Sequence, residues 1–378
     1  MDSSVDRSKF RRQLLNWFDK NQRDLPWRKR KTRYRIWVSE IMLQQTQVVT
    51  VVAYFNRFMK RFPNVKKLAE ADEADVLKMW EGLGYYRRAR QMHAAAIKIV
   101  VEHNGKFPSD FEQVLALPGI GRYTAGAILS IADDQRLPIV EGNTIRVYSR
   151  LLNFQHSVNN ATGQKVLWDF AETLVTKNRP GDLNQALMEL GSEVCSVKSP
   201  NCTACPVANH CNALLQGTAE SLPNKGTRKT EYEDLHQVAV VIERKGQFAI
   251  RLCGPDEHWT GLWDFPRVTL PEDSTRSKIS SHVKRQTGLV VALDQTFVRI
   301  KHAVTRYRIT LECYRAVNVK GRLKTGDDFR WATLQELEEL PMSTTGRKIA
   351  RKLSELKQHP VEPTVFDFDD GRGGGGTN

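Results

Sequence analysis

No stretch of this chain approaches the ~20 consecutive apolar residues of a membrane span, and its N-terminus mixes acidic and basic residues where a signal peptide needs a charged start and an apolar run. Both absences point to a soluble, intracellular protein. Cysteine is scarce: there are six in 378 residues, and only Cys253 and Cys313 lie outside residues 195–211. With no secretory mark, so few cysteines argue against a disulfide framework, because cytosolic thiols stay reduced. Acidic residues are outnumbered, 43 Asp and Glu against 57 Lys and Arg, which leaves a net charge of +14 and a pI near 9.5. A solvated surface explains any single basic run. The excess over the whole chain points to a polyanionic partner, of which nucleic acid is the best candidate.

The cysteines that are present share one arrangement. Cys195, Cys202, Cys205 and Cys211 follow C-x₆-C-x₂-C-x₅-C. Four soft sulfur donors in one short loop suit a [4Fe-4S] cluster or a tetrahedral zinc ion. Zinc sites more often pair two C-x₂-C knuckles. One such knuckle inside wider gaps favours the cluster without deciding it.

A chain of this length fits about two domains of ~100–200 residues. The first reads as all helix. Phe10, Leu14, Trp17 and Phe18 recur at helical spacing before Arg23-Asp24-Leu25-Pro26-Trp27-Arg28. Residues 28–35 carry Arg28, Lys29, Arg30, Lys31, Arg33 and Arg35 with no helical period, which predicts a mobile basic loop near phosphates. Trp37, Val38, Ile41 and Met42 with Val48, Val49 and Val52 predict a second amphipathic helix that contains Glu40, Gln44, Gln45 and Thr46. Further helices are expected over residues 65–80, 88–103 and 110–117.

Leu117-Pro118-Gly119-Ile120-Gly121-Arg122-Tyr123 then reads as a turn between two helices. Its glycines expose N–H groups at a helix start, which suits a phosphate as well as a plain tight turn. Val140-Glu141-Gly142-Asn143 precedes another helix, and residues 184–195, with Glu189, lead into the cysteines. Residues 225–233 are polar and read as a linker. Beyond them the period changes to two, in Val238, Val240 and Ile242 and again between Val298 and Val317, which predicts a second, α+β domain. The tail from Val361, with Asp-Phe-Asp-Asp and a glycine run, reads as disordered. The expected organisation is a mainly α region over residues 1–220, a linker over 221–235, an α+β domain over 236–357 and a tail over 358–378.

Helix–hairpin–helix, a Gly-Asn turn with an acidic residue, and this cysteine spacing, in that order, resemble the iron–sulfur branch of the helix–hairpin–helix DNA glycosylases. Within it, Leu25-Pro26-Trp27-Arg28, the run from Trp37 to Thr46, and Trp80-Glu81-Gly82-Leu83-Gly84-Tyr85-Tyr86 are similar to the MutY family of adenine-specific mismatch glycosylases, over residues 8 to about 215. The resemblance implies a helical glycosylase region with a [4Fe-4S] loop, and so prefers the cluster over zinc. It also implies a monofunctional base excision repair enzyme, acting as a monomer on double-stranded DNA that carries adenine mispaired with 8-oxoguanine or guanine, with no membrane partner. In a bacterium it would work in the cytoplasm, at the nucleoid. Gly261-Leu262-Trp263-Asp264-Phe265-Pro266 resembles the Nudix fold, as the C-terminal domain of that family does. An active Nudix helix holds magnesium with glutamates. Aligned on Gly288, this chain has Ser281, His282, Val283, Lys284, Arg285, Gln286 and Thr287 there, which implies a binding module.

Hydrolysing an adenine N-glycosidic bond takes a proton for the leaving base, a stabilised sugar cation and a positioned water, for which two carboxylates suffice. Glu40 is flanked by apolar residues, so burial is expected to raise its pKa from ~4.3 toward ~6–7. The resemblance makes it the acid at adenine N7; a buried glutamate paired with an arginine is the plainer alternative. Glu141 stands where the family's D-G-N-V pattern has aspartate. It supplies the same charge roughly 1.5 Å further from the backbone, at a site where misplacement by ~1 Å can cost ~10²-fold.

By the same resemblance Tyr123 lies near the sugar, and Asn143 orients the carboxylate or the water. A phenol at Tyr123, where the lyase branch carries a Schiff-base lysine, implies hydrolysis alone. Gln45 and Tyr85 fill the gap left by the extruded base, and Thr46, Gly119 and Gly121 contact the DNA. Arg23, Trp27, Arg28, Leu43 and Glu189 match adenine-pocket positions, although Trp27 reads equally well as a core residue. Val304-Thr305-Arg306 corresponds to the Phe-Ser-His loop that reads 8-oxoguanine: Thr305 keeps the hydroxyl and Arg306 replaces the histidine. Two other classes fit the residues, a mismatch-binding protein in which Glu141 disables chemistry and a zinc-stabilised DNA-binding protein.

Overall fold

The computed structural model describes residues 6–226, 231–324, 326, 328–358 and 366–369. Two units divide the chain: Met1–Ala71 with Arg87–Arg228, and Asp72–Tyr86 with Lys229–Asn378.

The first unit is helical. α1 (Arg7–Asn21) begins where the Asp6 carboxylate accepts the Ser8 and Lys9 N–H groups, α2 (Pro26–Lys29) where Pro26 presets the first turn, and α3 (Arg33–Leu43) on the Thr32 hydroxyl. α4 (Val48–Arg61) and α5 (Val65–Ala69) follow, while α6 (Glu73–Trp80) belongs to the second unit. The first unit resumes with α7 (Arg87–Glu102), α8 (Phe111–Leu115), α9 (Arg122–Asp133), α10 (Gly142–Leu152), α11 (Ala161–Leu174), α12 (Pro180–Glu193) and α13 (Asn212–Leu215). α1, α10, α11 and α12 bury Phe10, Leu14, Phe18, Tyr148, Leu167 and Leu187 in one core, at about 1.5–3 kcal/mol per large side chain. α3 is buried continuously from Ile36 to Met42 and lies against α9. It therefore has no solvent face over that stretch, and its one carboxylate, Glu40, goes inside with it.

Three expectations for the helical stretches change. Residues 28–35 are not a loose basic loop. Pro26–Lys29 is helical, Lys31 and Arg33 pair with Asp182 and Asp133 at 2.9 and 2.5 Å, and Arg35 donates to the Pro26 carbonyl. The acidic partners lie a hundred residues and more along the chain, where no local period reveals them. The single helix expected from Trp37 to Val52 is two, α3 and α4, because Gln45 takes a φ of 55° between them. The helix expected over residues 65–80 is likewise split, into α5 and α6, with Asn64 and Asp72 at their N-caps.

The second unit is α+β. β1 (Glu233–Val241), β2 (Glu243–Arg244), β3 (Gln247–Leu252), β4 (Trp263–Asp264) and β5 (Arg267–Thr269) precede α14 (Arg276–Thr287). β6 (Leu289–Val304), β7 (Tyr307–Gly321), β8 (Phe329–Ala332), α15 (Leu334–Glu339), α16 (Thr344–Gln358) and β9 (Phe366–Asp369) follow. One sheet has the order β5-β1-β7-β6-β9, with β1 and β7 parallel; in the other, β2, β4 and β8 all pair with β3. Val238–Val241 are all buried because each face of β1 is covered, Ala239 and Val241 in one core and Val238 and Val240 in another. The disordered tail needs correction at Phe366–Asp369, which adds to β6 as the parallel strand β9. Phe-Asp-Phe-Asp has the period of a strand, and the β6 edge supplies its hydrogen bonds. Gln358 of the expected tail ends α16, and Glu233–Leu235 of the expected linker open β1; the remaining tail residues and residues 227–230 lie outside the described residues. No helix among the described residues is long and apolar enough to cross a membrane.

Candidate active site

Glu40 meets α9 at its first turn. The side chain is 5% exposed, and Tyr123 Oη donates to Glu40 Oε2 at 2.5 Å. Burial pushes the Glu40 carboxyl up to about 7. The Tyr123 hydrogen bond opposes that shift, the charge of Glu141 adds to it, and Arg28 opposes it. A carboxyl at about 7 carries a proton through much of the neutral range and can still give it up.

Glu141 is the N-cap of α10. Its Oε1 accepts Thr144 N–H at 2.9 Å, its Oε2 accepts Asn143 N–H at 2.9 Å, and the Thr144 hydroxyl accepts Glu141 N–H at 2.8 Å in return. Burial raises its pKa, against the backbone N–H groups of Asn143 and Thr144 and the charge of Arg146. A carboxylate has about four acceptor sites. The cap does not use them all, so capping leaves room for a second role.

Arg146 was not singled out from the sequence, although it lies three residues after Asn143 on one helix face. Its Nη2 donates to Asn143 Oδ1 at 2.9 Å and to the Gly191 carbonyl at 2.6 Å, while Nε donates to the Cys195 carbonyl at 2.7 Å. One guanidinium thus joins the Asn143 turn to the start of the cysteine segment. α12 can come this close because residue 191 is glycine: a Cβ there would sit 2.7 Å from Asn143 Cβ.

Glu189 on α12 is 1% exposed and carries two arginines. Arg23 Nε and Nη2 donate to it at 2.9 Å each, Arg23 N–H at 2.8 Å, and Arg28 Nη2 at 2.9 Å. Burial works against its ionised form, but these donors outweigh it and hold the carboxyl at about 2. Trp27 is in the core, edge-on to Phe55, and Leu43 is half-buried at the end of α3.

Gln45 is exposed in the left-handed turn after α3, with Thr46 half-buried beside it. Arg88, also missed from the sequence, clamps this turn by donating to the carbonyls of Ile41, Met42 and Gln44. Gly119 has a φ of +77°, and a Cβ there would meet Gln91 Cβ at 2.9 Å, whereas Gly121 caps α9 with open space around it. Only the first position requires glycine.

In the second unit, Tyr85 is 54% exposed with a φ of 50°. Val304 closes β6, and Thr305 and Arg306 form a two-residue turn to β7 with Thr305 at a φ of 53°. Arg306 donates to the Tyr307 hydroxyl at 3.0 Å. The helix α14 carries Ser281 to Thr287, and Gly288 ends it at a φ of +80°.

All four cysteines of the sequence motif line one cavity of about 30 Å³, together with Arg150, Val194 and Leu214. Arg150 is 1% exposed, and its Nη1 lies 3.2 Å from Cys195 Sγ and 2.7 Å from the Ser196 carbonyl. Burial pushes the Cys205 thiol up to about 12 and raises Cys211 as well. Ionising Cys205 and Cys211 here calls for a compensating positive charge, and four thiols lining one cavity are the donor set of an iron–sulfur cluster or a zinc ion. Among the described residues no three His, Cys, Asp or Glu side chains converge to hold a single metal ion.

Residues 38–169 match the family described as HhH-GPD superfamily base excision DNA repair protein, and residues 237–352 match the NUDIX domain. The adenine DNA glycosylase of Rattus norvegicus is 34% identical over 94% of this chain and 80% of its own length. That of Buchnera aphidicola subsp. Acyrthosiphon pisum is 37% identical over 70% of this chain and 76% of its own. Among solved structures, a thermostable thymine-DNA glycosylase matches with a TM-score of 0.51 at 26% identity, over 56% of this chain and 97% of that one.

Proposed function

We propose that the chain, which belongs to the adenine DNA glycosylase family, hydrolyses the N-glycosidic bond of adenine opposite 8-oxoguanine or guanine in duplex DNA, as a base excision repair enzyme without lyase activity. The observation that carries this reading is the contrast between its two carboxyl groups. Glu40 has one phenol as donor and a pKa of about 7, whereas Glu141, also raised by burial, accepts two backbone N–H groups that favour its ionised form.

Glu40 gives its proton to adenine N7 as the base departs. Glu141 faces the developing oxocarbenium sugar, where a carboxylate ~4 Å away supplies about 4 kcal/mol at an effective dielectric of 20. Asn143 orients that carboxylate or the water whose oxygen bonds to C1′. Tyr123 lies by the sugar and offers no amine, so no Schiff base forms and the strand stays intact. Arg23 and Arg28, fixed by Glu189, line the adenine pocket with Leu43, and Trp27 backs it. Gln45, Thr46, Tyr85, Gly119 and Gly121 engage the DNA, and Val304, Thr305 and Arg306 read the lesion opposite. It acts as a monomer. A place at the nucleoid, in a bacterium, is supported by the net charge of +14.

Cys195, Cys202, Cys205 and Cys211 hold a [4Fe-4S] cluster in this reading. Its iron–thiolate bonds would fix the loop, and Arg150 and Arg146 tie that loop to α10. The organisation is a glycosylase region over residues 1–220, a linker over 221–235 and a Nudix-like lesion-recognition domain over 236–357.

Single-turnover release of adenine from a duplex with adenine opposite 8-oxoguanine tests the reading. The wild-type chain is expected to release adenine with no strand scission, and Glu40→Gln to release none while still binding. A wild-type chain that binds the duplex and leaves the adenine in place would overturn the enzymatic reading in favour of a mismatch binder.

A further inference from the structure

We propose that Arg347 is a positioning residue for Tyr85, acting through the Glu81 carboxylate, so that the C-terminal helix α16 sets how the Tyr85 loop meets DNA. The DNA half rests on the reading of Tyr85 as a DNA-contacting residue; the positioning half rests on geometry within the second unit.

The loop after α6 is tightly determined. Trp80, Leu83 and Tyr86 are buried, and Tyr85, at 54%, is the large side chain left exposed. Gly82, Gly84 and Tyr85 all have positive φ, of 97°, 72° and 50°. Trp80 Nε1 donates to the Gly84 carbonyl at 3.1 Å. A tyrosine in the left-handed region is uncommon and persists only where its surroundings impose it.

What imposes it begins at Glu81, the first residue of the loop. Arg347 Nε donates to Glu81 Oε1 at 2.5 Å and Nη2 to Oε2 at 3.0 Å, a bidentate fork. The same guanidinium donates to the Leu337 and Leu340 carbonyls at 2.5 and 2.6 Å, which lock it to α15. Met342 N–H and Lys78 Nζ also reach Glu81 Oε2, at 3.4 and 3.3 Å. The Arg347 and Glu81 side chains are only 10% and 14% exposed. A pair so enclosed is weakly screened by salt, and losing one partner strands the other charge. The loop thus starts from a carboxylate held at both oxygens, four residues before the exposed ring.

A plain staple between elements is the competing account, and the two differ in what they couple. The test uses the full chain with Arg347→Lys, which keeps the charge but not the fork, and Glu81→Gln, which keeps the shape but not the charge. In the free protein, amide exchange across residues 82–86 should rise at least about tenfold in both variants while the sheet strands stay protected. With an adenine·8-oxoguanine duplex carrying 2-aminopurine beside the mismatch, both should lose part of the unstacking signal and of the single-turnover rate. Each variant combined with Tyr85→Ala should react within about twofold of Tyr85→Ala alone, because both changes act through one ring.

Unchanged exchange over residues 82–86 overturns the positioning claim. So do losses that multiply in the double variants, which is the outcome for a mere staple. Faster loop exchange together with a Tyr85→Ala variant of normal signal and rate overturns the DNA half alone, and identifies the Tyr85 reading as the part that failed.

Discussion

The Tyr123 hydroxyl lies 2.5 Å from Glu40 Oε2, and the bond favours the glutamate's ionised form while burial favours its protonated one. Burial wins, leaving Glu40 at about 7. The phenol is raised well above its usual range by burial and by the neighbouring carboxylates, so it stays a donor.

If Glu40 must carry a proton to act, the single-turnover rate should fall as pH rises through about 7. Tyr123→Phe removes the donor that favours the anion. The Glu40 pKa should then rise further, and the alkaline limb of the profile should move to higher pH. A limb that stays in place, or moves down, would show that Tyr123 does not tune Glu40.

Glu141→Gln should retain DNA binding and lose at least about a hundredfold in single-turnover rate, as removed transition-state electrostatics require. Its cap on α10 should weaken at the same time, by about 0.5–2 kcal/mol in a melting experiment. Glu141→Asp separates the two roles: a shorter carboxylate that caps well but reacts slowly would mean this turn is built around the longer side chain. Adenine release unaffected by Glu141→Gln would leave Glu141 a cap and nothing more.

Arg146→Leu removes donors from Asn143 Oδ1, the Gly191 carbonyl and the Cys195 carbonyl together. Hydrogen bonds to a charged group contribute about 1.5–3 kcal/mol each, so rate and iron content should fall together. A variant with full iron and a reduced rate would confine the residue's role to Asn143.

Glu189 and Glu40 should give stability opposite pH dependences. Glu189 sits at about 2 when folded, below its ordinary value, so its contribution is present above pH 4.5 and is lost as pH falls toward 2. Glu40 sits at about 7, so the folded state binds the extra proton, and stability falls as pH rises from 4.5 through 7. Denaturant melts of Glu189→Gln should therefore show a shallower acid-side slope, and those of Glu40→Gln a shallower slope between pH 5 and 7, to which Glu141, also raised by burial, contributes the remainder.

Arg306→Ala should leave adenine removal opposite guanine nearly unchanged and shrink the preference for 8-oxoguanine, because the turn at Thr305 and Arg306 exposes that side chain. Equal preference in variant and wild type would remove Arg306 from lesion reading.

The local chemistry of this protein was legible in the chain. Four cysteines at C-x₆-C-x₂-C-x₅-C, a glutamate among the apolar residues of α3, an acidic residue before Gly142-Asn143, and the change of period near Val238 each declare themselves over a few residues. Such features depend on spacing and on neighbours in sequence.

Pairing across the fold was not legible. Nothing near Glu189 in sequence shows that Arg23 and Arg28 bind it 166 and 161 residues away, nor that Arg347 closes on Glu81. The basic stretch 28–35 looked loose because its acidic partners are distant in sequence, and Phe366–Asp369 looked disordered because a strand edge was needed to complete it. The sequence alone determined which groups can bind metal, take up a proton or cap a helix, since those capacities belong to the side chain and its neighbours. Tertiary structure decided which of them are charged, because burial and opposing charge act through space: it placed Glu40 near 7 and Glu189 near 2, although both began as ordinary glutamates.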